Sequence, residues 1–230
     1  MIKKLIVYHH LGLGDHFICN GLIHELLENR AHEIWLPTKE NNAVHVKHLY
    51  EDFSEQVKII TTNENDLARE ILGINSLSIQ YNVPLLRISH GGGKDTYFDK
   101  IFYDQLGIDF HIRWSRFTLP QDDSRALEFY KKIIPDPEEP YVLVHDTGSV
   151  GKFDLKFNSP HRIVKVESGL TESLLDWKYV IERASELHCI DSSVIHLADS
   201  LSLDAGLLVF HDVGRNSKFN FNHSWEIQRY

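Results

Sequence analysis

Cysteine is scarce in this sequence: only Cys19 and Cys189 occur among 230 residues, and neither belongs to a Cys-x-x-Cys pair. That scarcity excludes a disulfide-built scaffold and fits two buried thiols in a reducing compartment. Long apolar runs are missing too. No segment approaches the roughly 20 apolar residues that span a bilayer, so no integral membrane segment is expected. The start, MIKKLIVYHH, carries signal-peptide charge, but its apolar run is too short for one and ends in two histidines. A basic excess is also absent. The formal net charge is −9, opposite in sign to the footprint that a nucleic-acid partner requires. The 15 histidines are organised by no HExxH or Cys/His cluster, so neither a metal site nor a metal cofactor is expected. What is present is an ordinary globular balance, 42% hydrophobic and 25% charged, long enough for one sizeable core or two small ones. The expectation is a soluble, cytoplasmic protein.

Along the chain, β-rich runs at 5–8, 33–36, 57–61 and 77–81 alternate with helical periodicity at 15–29, 41–50 and 65–72. Such alternation predicts a parallel sheet built from right-handed crossovers. A loop, His90-Gly91-Gly92-Gly93, and an aromatic helix at 97–106 follow. The rhythm breaks near 119–123, and a helix at 124–134 leads into Pro135-Asp136-Pro137-Glu138-Glu139-Pro140, an acidic, proline-rich hinge candidate. It then resumes, with strands expected at 141–145, 162–166, 187–190 and 206–210 and helices at 174–184 and 192–201. The predicted fold class is α/β, with two Rossmann-like domains facing a cleft: residues 1–120, a linker at 121–140, and residues 141–230.

In open α/β sheets ligands sit at the carboxyl ends of the strands, which makes the first strand-to-helix turn a functional place by topology. Here that turn reads VYHHLGLGDHF, residues 7–17. It is not a dinucleotide fingerprint. Phe17 stands where a small residue is needed, and Leu36-Pro37-Thr38-Lys39 offers no acid for a ribose. Asp15 reads either as a helix N-cap or as a carboxylate aimed into the cleft as a base, with His16 in reserve and the glycines bringing the backbone close to a sugar.

In the second half, HCIDSSVIHLADSL (residues 188–201) runs a strand into a helix at Asp191-Ser192-Ser193. Asp191 is expected as N-cap, and the free amides and hydroxyls of Ser192 and Ser193 suit a diphosphate. His196, a turn further on, faces the same pocket or is a satisfied structural histidine. The segment Val144-His145-Asp146-Thr147-Gly148-Ser149-Val150-Gly151-Lys152-Phe153 nearly spells a P-loop, but Asp146 replaces the first glycine and Phe153 the final hydroxyl. As a donor-side loop, Thr147 and Ser149 can donate to phosphate oxygens, Lys152 or Lys156 can neutralise the leaving diphosphate, and His145 is a further donor contact; the alternative is a solvated loop. Glu167 is placed to accept ribose hydroxyls or is a surface residue.

Gly14-Asp15-His16 opening a helix, together with Asp191-Ser192-Ser193-Val194-Ile195-His196-Leu197-Ala198, resembles the heptosyltransferase-type group of GT-B glycosyltransferases. In that group an N-terminal Gly-Asp supplies a catalytic aspartate, and a C-terminal Asp-Thr-Gly-x-x-His-Leu-Ala turn binds the donor diphosphate. Here Ser192-Ser193 replace Thr-Gly, which keeps a hydroxyl and loses a glycine.

The resemblance implies a compact GT-B enzyme that moves a sugar from a nucleotide-sugar donor to a glycan or glycoconjugate hydroxyl, without a metal and with inversion. On the acceptor side Gly14, His90 and Arg113, the last in the aromatic and basic run 113–117, are expected to line the glycan cleft; the alternative for that run is packing between the domains. Two rivals stand beside it: a noncatalytic nucleotide- or sugar-phosphate-binding module, and a GT-B-like nucleotide-sugar epimerase.

Overall fold

The computed structural model describes residues 1–63, 66–89, 97–215 and 218–230. The chain divides into two compact units, Met1–Gln121 and Asp122–Tyr230.

The first unit runs β1 (Leu5–Tyr8), α1 (Leu13–Ile18), α2 (Asn20–Asn29), β2 (Ile34–Lys39), α3 (Ala43–Leu49), β3 (Val57–Thr62), α4 (Leu67–Tyr81), β4 (Leu85–Arg87), α5 (Phe98–Asp104) and α6 (Ile112–Ser115). Its sheet has the order β3-β2-β1-β4, every neighbouring pair being parallel. β1 is an inner strand whose four apolar or aromatic residues are all buried. Its carboxyl end therefore opens where the turn following it can act.

Two readings of the sequence change here. The helix expected at 15–29 is two helices broken at Cys19, and Gly21 lies so close to α6 that a Cβ there would stand 2.2 Å from the carbonyl oxygen of Ile112. The strand expected at 77–81 is the end of α4. Asp66 caps that helix, its carboxylate accepting from the amide of Arg69 at 3.0 Å, and Asn82 closes it in the left-handed conformation, φ 51°. The strand itself, β4, begins three residues later at Leu85.

The second unit runs α7 (Ser124–Ile133), β5 (Tyr141–His145), the hairpin β6 (Thr147–Gly148) and β7 (Gly151–Lys152), β8 (Arg162–Lys165), α8 (Lys178–Glu182), β9 (Glu186–Ile190), α9 (Ser193–Ala198), β10 (Leu207–Asp212) and β11 (Glu226–Arg229). Its parallel sheet has the order β11-β10-β9-β5-β8. Much of the stretch read as a linker is a packed helix of this unit. The buried face of α7 (Ala126, Phe129, Tyr130) meets the segment 174–182, with the Phe129 ring 4.9 Å from that of Trp177. Fully burying side chains of this size contributes about 1.5–3 kcal/mol each. From β5 to β8 the crossover is the hairpin and an extended strap, residues 153–161, instead of a helix. No helix among the described residues is long and apolar enough to cross a membrane.

Candidate active site

In the first unit, the turn after β1 holds a carboxylate against an imidazole. The Nδ1 atom of His10 lies 3.1 Å from Oδ2 of Asp15. The Asp15 side chain is only 11% exposed, whereas that of His10 is 51% exposed. Asp15 is not an N-cap. That position belongs to Gly12, and no side chain caps α1.

The glycine has a different purpose from a phosphate cradle. A Cβ on Gly12 would stand 2.6 Å from Asp15 Oδ2 and 3.8 Å from His10 Nδ1, so the missing methyl leaves the space in which the pair meets. The carboxylate raises the pKa of His10 above its ordinary value, chiefly through their hydrogen bond and against the opposing effect of burial. His10 was missed in the sequence although it lies in the same turn. Nothing in a histidine's spacing says which carboxylate it will meet.

The other expected acceptor-side residues separate. Gly14 sits in α1 beside Asp15. His16 is fully buried, edge-on to His9 with ring centroids 4.5 Å apart, and neither of its ring nitrogens has a hydrogen-bond partner among the described residues. Burial holds its pKa well below the ordinary value, which favours the neutral ring. Arg113 is also fully buried and forms an ion pair with buried Asp99, with its guanidinium 4.9 Å from the Trp114 ring. Burial in this ion pair gives Arg113 a structural role, whereas the sequence placed it at the acceptor. His90, with Gly91, Gly92, Gly93 and Lys94, lies outside the described residues.

In the second unit, the carboxyl ends of β5 and β9 are joined by a hydrogen bond of 2.9 Å between Ser192 Oγ and His145 Nδ1. Burial lowers the pKa of His145 to about 4, so the ring is neutral near pH 7. Ser192, and not Asp191, is the residue preceding α9, and its hydroxyl serves His145 instead of capping the helix. Asp191 is buried, with Oδ1 3.9 Å from Nε2 of His196; His196 is itself buried edge-on to Phe219. Ser193 opens α9 next to them, half-buried.

The hairpin residues lie over the same sheet edge. Thr147 donates its hydroxyl proton to Asp146 at 2.9 Å, and Lys165 reaches the other oxygen of Asp146 at 2.6 Å. Ser149 meets the guanidinium of Arg215. Lys165 and Arg215 are two further cations here that the sequence reading passed over. Glu167 is exposed just beyond β8.

A cleft of about 630 Å³ opens beside this edge, lined by Asp146, Lys152, Phe153, Phe157, Asn158 and Lys165 among others. Its wall is the strap, which a ring stack and a chain of hydrogen bonds fasten to the sheet. Phe157 stacks on His188 at 4.1 Å, His188 Nδ1 meets His211 Nε2 at 2.9 Å, and His211 Nδ1 meets the Tyr230 hydroxyl at 2.7 Å. That hydroxyl also accepts from the amide of Lys156 at 2.9 Å. The cleft volume suits a small-molecule ligand. Among the described residues no group of three or more His, Cys, Asp or Glu is arranged to hold a metal ion.

Two parallel α/β units in tandem give the chain a fold shared with solved glycosyltransferase structures. A glycosyl transferase family 9 structure from Veillonella parvula DSM 2008 aligns with 99% of this chain and 87% of its own, with a TM-score of 0.64 and 12% identity. The E. coli ADP-heptose LPS heptosyltransferase II aligns with 99% of this chain and 90% of its own, with a TM-score of 0.59 and 9% identity. The E. coli heptosyltransferase WaaC with ADP gives a TM-score of 0.50 at 11% identity, covering 99% of this chain and 93% of its own. No protein-family model matches the sequence, and no curated protein does either.

Proposed function

We propose that the protein is a glycosyltransferase that moves a sugar from a nucleotide-diphosphate donor to a hydroxyl of a glycan or glycoconjugate, with inversion and without a divalent metal. The observation that carries this reading is the Asp15–His10 pair, a shielded carboxylate hydrogen-bonded to a half-exposed imidazole at the carboxyl end of β1. A protein that only bound nucleotides would gain nothing from a carboxylate there, whereas an acceptor hydroxyl needs a positioned base, worth about 10²- to 10⁴-fold in rate.

The second unit offers the complementary chemistry. The leaving diphosphate gathers negative charge as the sugar departs, and fixed donors aimed at it lower the barrier. Lys152 and Lys165 beside the cleft, the Ser192–His145 link and the amides around Ser193 are the groups suited to that work. The sequence has no Asp-x-Asp of the kind that would bring a metal to the diphosphate; Asp136-Pro137-Glu138, which comes nearest, lies in the acidic hinge.

The similarity to an ADP-bound structure makes an adenosine diphosphate sugar the first donor to try. The test is a thermal-shift screen against ADP, UDP, GDP and CMP, followed by incubation with the corresponding nucleotide sugars. One nucleotide is expected to raise the melting temperature in proportion to ln(1 + [L]/Kd), and its sugar conjugate is expected to be slowly hydrolysed. Tight nucleotide binding with no turnover of any donor would favour the noncatalytic module. Conversion of the donor sugar without an acceptor would favour the epimerase.

A further inference from the structure

Within that sugar-transfer reading, on which this step rests, we infer that His10 is the catalytic base that takes the acceptor proton and that Asp15 is the residue that positions it. The two side chains differ in what they present to a ligand. Asp15 is 11% exposed and His10 51% exposed, so the imidazole offers most of the pair's accessible surface.

The geometry also fixes the proton inventory of the ring. At 3.1 Å, Nδ1 and Oδ2 cannot face each other with two lone pairs, so a proton lies between them and the ring donates it to the carboxylate. In the neutral ring the basic lone pair is then on Nε2, the atom turned away from Asp15. Gly12 maintains this arrangement, because any side chain there would enter the space of the Asp15 carboxylate.

The charged groups that act on His10 come from three other parts of the unit. Asp15 in α1 and Glu70 in α4 favour its protonated form, and Lys39 at the end of β2 opposes it, as does burial. The net effect raises its pKa above the ordinary 6.5.

In the reaction, the acceptor O–H bond breaks and its proton passes to Nε2 of His10. The oxygen's electron pair forms the new bond to the anomeric carbon. The bond from that carbon to the diphosphate oxygen breaks, and its pair departs with the diphosphate. The resulting imidazolium is held by a charge-assisted hydrogen bond to Asp15. Neutral, enclosed His16 takes no part.

Two variants test this assignment. His10→Asn keeps an amide donor near the Nδ1 position and removes Nε2, while Asp15→Asn keeps the shape and removes the charge. His10→Asn is expected to lower kcat about 10²-fold or more, with the affinity for the donor nucleotide and the melting temperature close to wild type. Asp15→Asn is expected to move the acidic limb of the kcat/KM–pH profile to lower pH, and to lower the His10 pKa followed by NMR. The assignment is overturned if His10→Asn transfers sugar within about threefold of wild type, or if neither the limb nor the titration moves in Asp15→Asn. Wild-type protein that turns over no donor at all would instead overturn the sugar-transfer reading, and this assignment with it.

Discussion

A Cβ placed on Gly12 would lie 2.6 Å from the carboxylate oxygen of Asp15 that meets His10. The glycine is thus a spacer for a side-chain pair and not a cradle for a phosphate. Gly12→Ala is expected to push the carboxylate aside, lower the His10 pKa and reduce transfer by an order of magnitude or more. The fold should survive, because Gly12 has φ −67° and an alanine there meets no backbone strain. NMR titration of His10 in the variant checks the first effect, and a melting curve checks the second.

Arg113 tests the structural role assigned to a residue that first looked like a ligand contact. Its ion pair with Asp99 has both side chains fully buried. Arg113→Met leaves the Asp99 charge uncompensated and is expected to cost about 3–5 kcal/mol in urea denaturation. The double variant Arg113→Met/Asp99→Leu should recover much of that loss, because it removes both charges. A single variant that melted like wild type but raised the acceptor KM would return Arg113 to the binding site.

The histidines give the stability a pH dependence whose sign can be worked out. Burial lowers His24, His145 and His211 from 6.5 to about 4 in the folded protein. Between these values the unfolded chain binds more protons than the folded one, so stability falls as the pH drops. Their contribution is complete above about pH 6.5, declines below it, and levels off near pH 4, where both states are protonated. Urea midpoints measured from pH 7 down to pH 4.5 should decrease steadily, and His211→Gln should flatten part of the slope. A midpoint constant over that range would contradict the burial of these rings.

Ser192 joins two strand ends through His145. Ser192→Ala removes that bond and is expected to cost about 1 kcal/mol of stability. If the same turn receives the donor diphosphate, the variant should also weaken nucleotide binding several-fold, which calorimetric titration would detect. Unchanged affinity would confine Ser192 to a structural role.

The local rhythm of the fold was legible because it rests on short-range pattern. β1 and β5 fall where the apolar runs place them, at Leu5–Tyr8 and Tyr141–His145. The errors have physical causes. Leu77, Ile79 and Tyr81 alternate like a strand, yet they close the helix α4, where Ile79 and Tyr81 are 82% and 53% exposed, so the alternation does not mark a sheet. β11 went unread because Glu226-Ile227-Gln228-Arg229 is polar and sits at the edge of its sheet.

At the candidate site, Asp15 stood out because a carboxylate after a glycine turn is an unusual choice. His10, Lys165 and Arg215 did not stand out, because each acquires meaning only through a partner. Those partners lie 5 residues away for His10, 19 for Lys165 and 66 for Arg215. The burial of His16 and Arg113 depends likewise on tertiary packing, which spacing does not reveal.

The most direct measurement is sugar turnover by wild type and Asp15→Asn, with donor-nucleotide affinity determined on the same samples. The account expects the wild type to consume one nucleotide sugar and the variant to be slower by about 10²- to 10⁴-fold, with nucleotide affinity unchanged. A variant that turns over at the wild-type rate would contradict it.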